Sequence, residues 1–394
     1  MRKKQRLVLY TRQRREEGMN LHFQEEKSVP TPALIYYQDV ILDNTRKAID
    51  IAGGAKYLWP HVKSHKSAEI VEMQCKMGIH RFKCATIAEA AMTAGTSATD
   101  ILLAYPLVGP NIRRFLLLMQ EYQNKNFYAL FDCLDQARLL SEKVVNEYGN
   151  KRLVNVMVDV NTGMNRTGVT FDKVMDFCRE LEKLPGLKFC GFHCYDGDRH
   201  EKRLDDRKKK VGETLQKVKN MCETLAGEGI DFEYLILGGS PSFPCYAEGK
   251  GIVPGKQCFY SPGTVFIYDA GYKAQFPDLP FEPGAAVLSR VVSHPCEGYF
   301  TLDTGYKAIA AEQGVRGILP EYPNAEEQFQ SEEHWTFKMK PGHESERPEV
   351  GQEVYIIPWH ICPTTALYDR ILVVGGSHRE AVWNVTARNR ELLV

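Results

Sequence analysis

Two lysines and two histidines are concentrated in one short stretch, residues 59–66, with the sequence Trp-Pro-His-Val-Lys-Ser-His-Lys. Proline lacks a backbone N–H and favours an extended conformation in the residue before it. The stretch therefore predicts a short β-strand that ends in a turn, with a helix from about Ala68. Lys63 would then lie at the carboxyl end of a strand, where α/β folds place their chemistry and where a lysine can form a Schiff base. A solvated basic turn explains these residues equally well.

Two turns later in the chain have the residue types of a phosphate site. Residues 238–242 and 261–264 each follow a short apolar strand. Glycines let a backbone approach an anion closely, and hydroxyl and N–H groups can hold it. The alternative is a plain connecting turn. The candidate residues are Gly238, Gly239, Ser240, Gly263 and Thr264.

A possible metal site lies near the C-terminus. His360 and Cys362 follow an apolar strand, and residues two apart in an extended segment point to the same side. Two ligands cannot close a structural zinc site, but they suit an open site that water or substrate completes. Zinc fits an imidazole–thiolate pair best, and manganese is less suited to the soft sulfur. A packed histidine beside a buried thiol is the alternative.

Two further residues follow strands. Arg166 lies between two glycines in the loop 161–168, and Tyr195 ends the next strand. Arg166 would be presented at the carboxyl end of the sheet, and Tyr195 could lie against a planar ring. A solvated arginine and a packed tyrosine are the alternatives.

The elements that would position these residues alternate along the chain. About eight apolar strands, between residues 30 and 280, are separated by helical segments. Such alternation predicts parallel βαβ units, and the count and length fit a (β/α)₈ TIM barrel. An open doubly wound sheet is the second choice, although no Gly-x-Gly-x-x-Gly follows the first strand.

The segments on either side of the predicted barrel lack its alternation of strands and helices. Residues 281–394 contain short strands without helices between them, which predicts a mostly antiparallel β domain with connectors at 320–333 and 341–350. Residues 1–29 are predicted to be an N-terminal extension, and Met19 is a possible alternative start.

Composition excludes several classes of protein. The 394 residues contain 50 basic and 50 acidic side chains, so a nucleic-acid partner is not expected. No apolar run approaches the ~20 residues of a membrane span, and no signal peptide is recognisable. The eleven cysteines include no Cys-x-x-Cys pair. They are therefore expected to be thiols in a reducing cytoplasm.

Several motifs together resemble one family over residues 31–390. Residues 60–66 and 358–364 are the most specific, and residues 84–90, 163–168 and 238–241 support them. The chain is similar to the D-threonine aldolase / D-serine dehydratase family of pyridoxal-phosphate enzymes. That resemblance implies an alanine-racemase-like barrel followed by a C-terminal β domain.

The resemblance also implies roles for the candidate residues. Lys63 would carry pyridoxal 5′-phosphate as a Schiff base, with Lys66 only a neighbouring charge. Arg166 and Tyr195 would contact the cofactor ring, and the two glycine-containing turns would hold the phosphate. His360 and Cys362 would bind a divalent metal that takes the β-hydroxyl of the substrate. A homodimer is implied, because the β domain contributes to the partner's site in such enzymes.

One motif departs from the family pattern. Relatives often have histidine at the fourth position of Tyr-Asp-Gly-His, where this chain has Asp198, and His200 follows two residues later. Either His200 or Asp198 takes the role of proton acceptor near the metal, or the function is altered.

The expected function is that of a lyase for 3-hydroxy D-amino acids. D-Threonine aldolase, which forms glycine and an aldehyde, is the preferred activity. D-Serine dehydratase, which forms pyruvate and ammonia, is the alternative. An amino-acid racemase or a non-catalytic pyridoxal-phosphate-binding protein belongs to a different class.

Overall fold

The computed structural model describes residues 20–149, 153–249 and 253–390. Residues 1–19 of the predicted extension 1–29, and with them the choice between Met1 and Met19 as the start, lie outside the described residues. Within the predicted extension, Leu21, Phe23 and Val29 are buried in an apolar cluster with Tyr37 and Leu288.

Strands and helices alternate through the first two-thirds of the chain, as predicted. In chain order the elements are β1 (Ala33–Tyr37), α1 (Gln38–Ala52), α2 (Ala68–Lys76), β2 (Arg81–Cys84), α3 (Ile87–Ala94), β3 (Asp100–Pro106), α4 (Pro110–Glu121), β4 (Asn126–Phe131), α5 (Leu134–Tyr148), β5 (Val154–Asp159), α6 (Val174–Glu182), β6 (Leu187–Cys194), α7 (Leu204–Gly227), β7 (Tyr234–Leu237), α8 (Phe243–Glu248), β8 (Gln257–Tyr260) and α9 (Ala270–Gln275). In the described part of the chain, β2–β8 form a seven-stranded parallel sheet in sequence order.

The segment 58–61 takes the place of an eighth barrel strand. Leu58 forms a parallel bridge to Tyr260 in β8, and His61 forms one to Lys83 in β2. The Trp59 N–H donates to the Tyr260 carbonyl at 2.9 Å, and the Lys83 N–H donates to the Pro60 carbonyl at 2.7 Å. This closure confirms the barrel and excludes the open sheet. The short strand predicted for the stretch around Pro60 is reduced to isolated bridges, because Pro60 offers no N–H and a 3₁₀ turn begins at Val62.

Aromatic side chains fill the barrel interior. The Trp59 ring makes edge-to-face contacts with Tyr128 and Phe259, and its indole N–H donates to the Phe82 carbonyl at 2.9 Å. Each barrel strand also packs its other face against the helices, so both faces are buried, as expected of parallel sheets. The interior cluster comprises Trp59, Leu102, Tyr128, Leu130, Met157, Cys190, Ile236 and Phe259.

Gly191 permits the close approach of β6 and β7. Its φ is +151°, and a Cβ atom there would lie 1.9 Å from the Tyr234 carbonyl oxygen. We expect Gly191→Ala to lower the free energy of unfolding by about 3 kcal/mol, because the backbones must separate. Urea unfolding measures the change.

A matched control for that substitution is Gly212→Ala in α7. A Cβ atom at Gly212 meets nothing within 4 Å, and alanine is the better helix former by ~1 kcal/mol. Gly212→Ala should leave stability unchanged or increase it. Equal losses at Gly191 and Gly212 would contradict the packing argument.

The C-terminal part forms a mixed, mostly antiparallel sheet. Its elements are β9 (Ala285–Ser293), β10 (Tyr299–Leu302), β11 (Gly317–Ile318), β12 (Ala325–Gln330), β13 (Trp335–Met339), β14 (Glu353–Pro358), α10 (Ile361–Thr365), β15 (Arg370–Gly375) and β16 (His378–Asn384). In the part that the structure describes, this sheet has nine strands, and β1 is one of them.

Two predictions about this sheet were wrong. Strand β1, predicted as a barrel strand, pairs antiparallel with β9 and parallel with β15. The predicted barrel range of residues 30–280 therefore includes a strand of the other sheet. The predicted connector 320–333 contains strand β12. Its residues are mostly charged or polar because the strand lies exposed at the end of the sheet, so the sequence lacks the apolar pattern by which strands are recognised.

Two expectations, about membrane-spanning segments and about the cysteines, can be compared with the structure. No helix within the described residues is long and apolar enough to cross a bilayer. The eleven cysteines all lie in described residues and are free thiols, mostly buried.

Candidate active site

The carboxyl end of the barrel brings Lys63 to Tyr195. Lys63 lies in the 3₁₀ turn Val62–Ser64, and its backbone N–H donates to His61 Nδ1 at 3.2 Å. Its Nζ is 5.8 Å from the centroid of the Tyr195 ring. Lys66, by contrast, forms an ion pair with the fully buried Glu89. Lys63 is therefore the lysine of this stretch that contacts the Tyr195 ring.

Three cations surround the Tyr195 ring. Besides Lys63, the Nζ of Lys83 lies 5.2 Å and the guanidinium carbon of Arg166 lies 5.0 Å from the ring centroid. None of these three cations has a carboxylate ion-pair partner among the described residues. Gly239 lies against the ring edge, where a Cβ atom would be 2.9 Å from a ring carbon. This concentration of positive charge fits an anionic, planar ligand.

Lys83 also belongs to a buried chain of polar groups beneath the ring. Its Nζ is 3.2 Å from His193 Nε2, and His193 Nδ1 is 2.7 Å from Asp159 Oδ1. Because the Asp159 carboxylate only accepts, His193 carries a proton on Nδ1, and its Nε2 is left to accept from Lys83. Burial lowers the pKa of His193, which favours the neutral ring. Burial, together with the charges of Lys63 and Arg166, lowers the pKa of Lys83 to about 7.

Sequence reasoning missed all three members of this chain. Lys83, His193 and Asp159 lie in strands β2, β6 and β5. A signal was available, since charged residues are rare in strands buried on both faces.

The two glycine-containing turns are joined at Ser240. The Ser240 Oγ accepts the backbone N–H groups of Gly263 at 3.1 Å and Thr264 at 3.0 Å. The Ser261 Oγ is buried and has no hydrogen-bond partner among the described residues. Two N–H groups and two hydroxyls in one place fit a phosphate.

A buried carboxylic acid supports the first of these turns. Asp196 accepts the hydroxyl hydrogens of Ser242 at 2.6 Å and Tyr246 at 2.9 Å, and Ser242 Oγ accepts the Gly239 N–H at 3.0 Å. Burial raises the pKa of Asp196 to about 7. Gly238 lies where a Cβ atom would be 2.8 Å from the Tyr246 ring, so the turn is tightly packed.

His360 and Cys362 lie together, but not on a strand as predicted. Strand β14 ends at Pro358, His360 is the N-cap of α10, and Cys362 lies in its first turn. The prediction of an extended segment failed because helix α10 starts immediately after His360. The two side chains nevertheless lie close enough to influence each other's charge.

The surroundings of the pair connect it to the lysine and to the phosphate turns. The Cys362 Sγ is 3.2 Å from the Ser64 Oγ and 3.4 Å from the Thr264 Oγ1. Burial opposes both charges, but the imidazolium and thiolate stabilise each other. The pKa of Cys362 is lowered, and the pKa of His360 is raised to about 9.

The pair can hold a metal only with other ligands. Glu312 hydrogen-bonds to His360 Nδ1, which leaves Nε2 for a ligand bond. Within the described residues, no group of three or more His, Cys, Asp or Glu side chains is arranged to bind a metal. The pair therefore suits the open type of site, in which water or substrate supplies further ligands.

The two candidates for the missing family histidine are placed differently. His200 is exposed and has no hydrogen bond or ion pair to another described residue. Asp198 pairs with Arg199 at 2.9 Å. Neither contacts His360 or Cys362 by a hydrogen bond in the described part of the chain, so the choice between them stays a prediction.

The fold and this site define a class of protein: alanine-racemase-like barrels with a C-terminal β domain. The family model for the alanine racemase N-terminal domain matches residues 38–253. The model for a putative serine dehydratase domain matches residues 284–374. The chain belongs to the alanine racemase N-terminal domain family, and its similarities fall in the D-threonine aldolase / D-serine dehydratase group.

Individual relatives are consistent with that group. The chain is 28% identical to a D-threonine aldolase of Arthrobacter sp, over 84% of this chain and 85% of that protein. It is 26% identical to a 3-hydroxy-D-aspartate aldolase of Paracoccus denitrificans, over 93% and 94% of the two chains.

Solved structures agree. A D-threonine aldolase from Filomicrobium marinum superposes with a TM-score of 0.84 at 26% identity, covering 94% of this chain and 98% of that one. A D-threo-3-hydroxyaspartate dehydratase from Delftia sp. HT23 has a TM-score of 0.77 at 20% identity, over 91% and 98% of the chains. The second likeness concerns the fold alone.

Proposed function

We propose that this protein is a pyridoxal-phosphate- and metal-dependent lyase for 3-hydroxy D-amino acids, and that it is a D-threonine-type aldolase. The observation that carries the proposal is the position of Cys362. Its sulfur contacts Ser64, next to Lys63, and Thr264, in the phosphate-fitting turns. An amine, an anion site and a metal-ligating pair thus adjoin one another.

The residues present fit pyridoxal phosphate. Lys63 would hold the aldehyde carbon, Tyr195 and Arg166 would contact the ring, and the turns at Ser240 and Gly263 would hold the phosphate. The cofactor, when bound, supplies an electron sink for bond cleavage at Cα. The protein orients the amino acid, keeps water out and supplies groups that move protons.

The metal-ligating pair would act on the substrate's β-oxygen. His360 and Cys362 would hold a divalent cation, and a thiolate favours zinc over manganese. Such a cation polarises an oxygen and makes its proton easier to remove. In the aldolase reaction His200 or Asp198 would accept the hydroxyl proton.

A dehydratase is the second candidate, and the thiolate in the metal-ligating pair favours it. Solved variants of D-threo-3-hydroxyaspartate dehydratase include a histidine-to-alanine and a cysteine-to-alanine change two positions apart, and the latter is described in a metal-free form. In this reaction Lys63 would remove the Cα proton. Two aldolase relatives at 28% and 26% identity support the first candidate, against 20% for a D-serine dehydratase of Dictyostelium discoideum.

Product analysis distinguishes the two activities. Purified protein, loaded with cofactor and zinc or manganese, is given D-threonine, D-serine and 3-hydroxy-D-aspartate separately. Glycine with an aldehyde supports the aldolase, whereas a keto acid with ammonia supports the dehydratase. Racemised amino acid, or no reaction with any substrate, would contradict the lyase proposal.

The quaternary state and the location are also proposals. We propose a cytoplasmic homodimer, in which the β domain of one subunit contributes to the partner's site. Sedimentation of the purified protein at the mass of a monomer, with full activity, would contradict the dimer.

Removal of the Ser240 hydroxyl should weaken phosphate binding. We expect Ser240→Ala to lower the affinity for pyridoxine 5′-phosphate about tenfold, because a hydrogen bond to a charged group is lost. Isothermal titration measures the affinity. Ser141→Ala is the matched control, because the buried hydroxyl of Ser141 on helix α5 donates to the Pro185 carbonyl at 2.6 Å, away from the glycine-containing turns. Equal affinities in both variants would place the phosphate elsewhere.

A further inference from the structure

The charge around Tyr195 is not balanced by the protein. Lys63, Lys83 and Arg166 approach the ring. The Asp159 carboxylate does not contact Lys83 directly, because His193 lies between the two side chains and hydrogen-bonds to both. The second carboxyl group in the cluster, Asp196, has a pKa raised by burial to about 7 and is therefore only partly charged near neutrality. The site needs an anion to hold all three cations charged.

Lys83 is the cation whose charge is most sensitive to such an anion. Its side chain is fully enclosed, at 2% exposure, so water cannot stabilise its ammonium form. Its partner His193 is a neutral acceptor, which supports the charged form by one hydrogen bond only. By comparison, Lys63 is partly exposed and Arg166 is exposed, and an arginine stays charged under all conditions in proteins.

We propose that Lys83, held by His193, is a second functional amine of this site. Lys83 carries a proton while an anionic aromatic ligand lies at Tyr195, and it releases that proton when the ligand leaves. The inference rests on the proposed cofactor function and adds a ligand-binding residue to it. Lys83 is thereby a positioning residue for the ligand, distinct from the Schiff-base lysine.

The direction of the proton movement follows from the groups that face Lys83. Burial, Lys63 and Arg166 lower its pKa, and Asp159 and Asp196 raise it, to about 7 overall. His61, on the neighbouring segment, is itself kept neutral by burial and by the lysines. In the empty site Lys83 is therefore mostly neutral above pH 7. A bound anion raises its pKa, so binding at about pH 8 takes up a proton, whereas binding at about pH 6 does not.

The test measures protons bound with pyridoxine 5′-phosphate. This probe has the ring and phosphate of the proposed cofactor but an alcohol in place of the aldehyde, so it cannot react with Lys63. Apoprotein is titrated with the probe in weakly buffered solution, and proton uptake is compared with that of Lys83→Met. Protons that the ligand itself gains or loses on binding are the same in both experiments. The difference in proton uptake between wild type and Lys83→Met therefore reports the protonation of Lys83.

The expected difference approaches one proton per site at about pH 8 and falls towards zero at about pH 6. Wild-type affinity should also weaken by up to about tenfold per pH unit above pH 7, relative to Lys83→Met. Lys83→Arg keeps the cation at every pH, so it should bind the probe without the extra proton. If circular dichroism shows that Lys83→Met does not fold, proton uptake is compared between wild type and Lys83→Arg instead.

The outcomes are distinguishable. Equal proton uptake in wild type and Lys83→Arg overturns the role of Lys83 while leaving the cofactor site intact. Failure of wild-type protein to bind the probe at all overturns the proposed cofactor function, and this inference with it. Uptake that disappears in Lys83→Arg with retained binding supports the inference and excludes a merely structural role.

Discussion

Lys63→Ala should abolish lyase activity, with a fall in kcat on the order of 10³-fold or more, because no other group can hold the cofactor aldehyde in the same position. Lys63 is the lysine of the stretch 59–66 that reaches the Tyr195 ring. The visible absorption band of the lysine-bound cofactor should be lost with the activity. Activity assays and absorption spectra of reconstituted protein measure both effects.

Lys66→Met is the matched control for this substitution. It removes a lysine three positions away but leaves the amine at Tyr195 in place, so the absorption band should remain. Its effect should instead be on stability, because Glu89 is fully buried and loses its ion-pair partner. Breaking such a pair costs roughly 3 kcal/mol. A band that survives in Lys63→Ala and disappears in Lys66→Met would reverse the assignment.

His360→Ala and Cys362→Ala should each lower metal affinity by at least about 10²-fold, because either change leaves one protein ligand of the proposed pair. Activity should fall with metal content and recover only partly at high zinc concentration. Metal content after dialysis, measured by atomic emission, is a readout independent of activity. A chelator should inactivate wild-type protein in the same way.

Cys258→Ser supplies the control for the thiol. Cys258 lies in β8 and, like Cys362, is a half-buried free thiol. Its replacement should leave metal content and activity unchanged. If Cys362→Ala retains stoichiometric metal and full activity, the metal role of the pair is wrong.

The barrel was predictable because apolar strands and amphipathic helices carry strong local signals. The alternation of strands and helices between β2 and β8 is as predicted. Strand β1 shows where local signals stop. Its apolar sequence predicts a buried strand correctly, but nothing in the sequence indicates which of two sheets buries it.

The same division applies to the site. Lys63, Ser240 and Thr264 were found because they follow strands, where parallel sheets place their chemistry. Lys83 lies within a strand and not after one, so attention to strand ends passed it over, although a charged residue in a strand buried on both faces was itself a signal. His360 and Cys362 were paired for the wrong reason, since a helix start, rather than an extended segment, brings them together.

The pairing of β1 determines when the molecule can be completed during synthesis. Ala33 lies opposite Leu288, and Ile35 lies opposite Leu372. Strand β1 must therefore wait for strands that are synthesised much later, after the residues of the whole barrel. Separately produced N- and C-terminal halves, cut between α9 and β9, would leave the C-terminal half without a strand from the middle of its sheet.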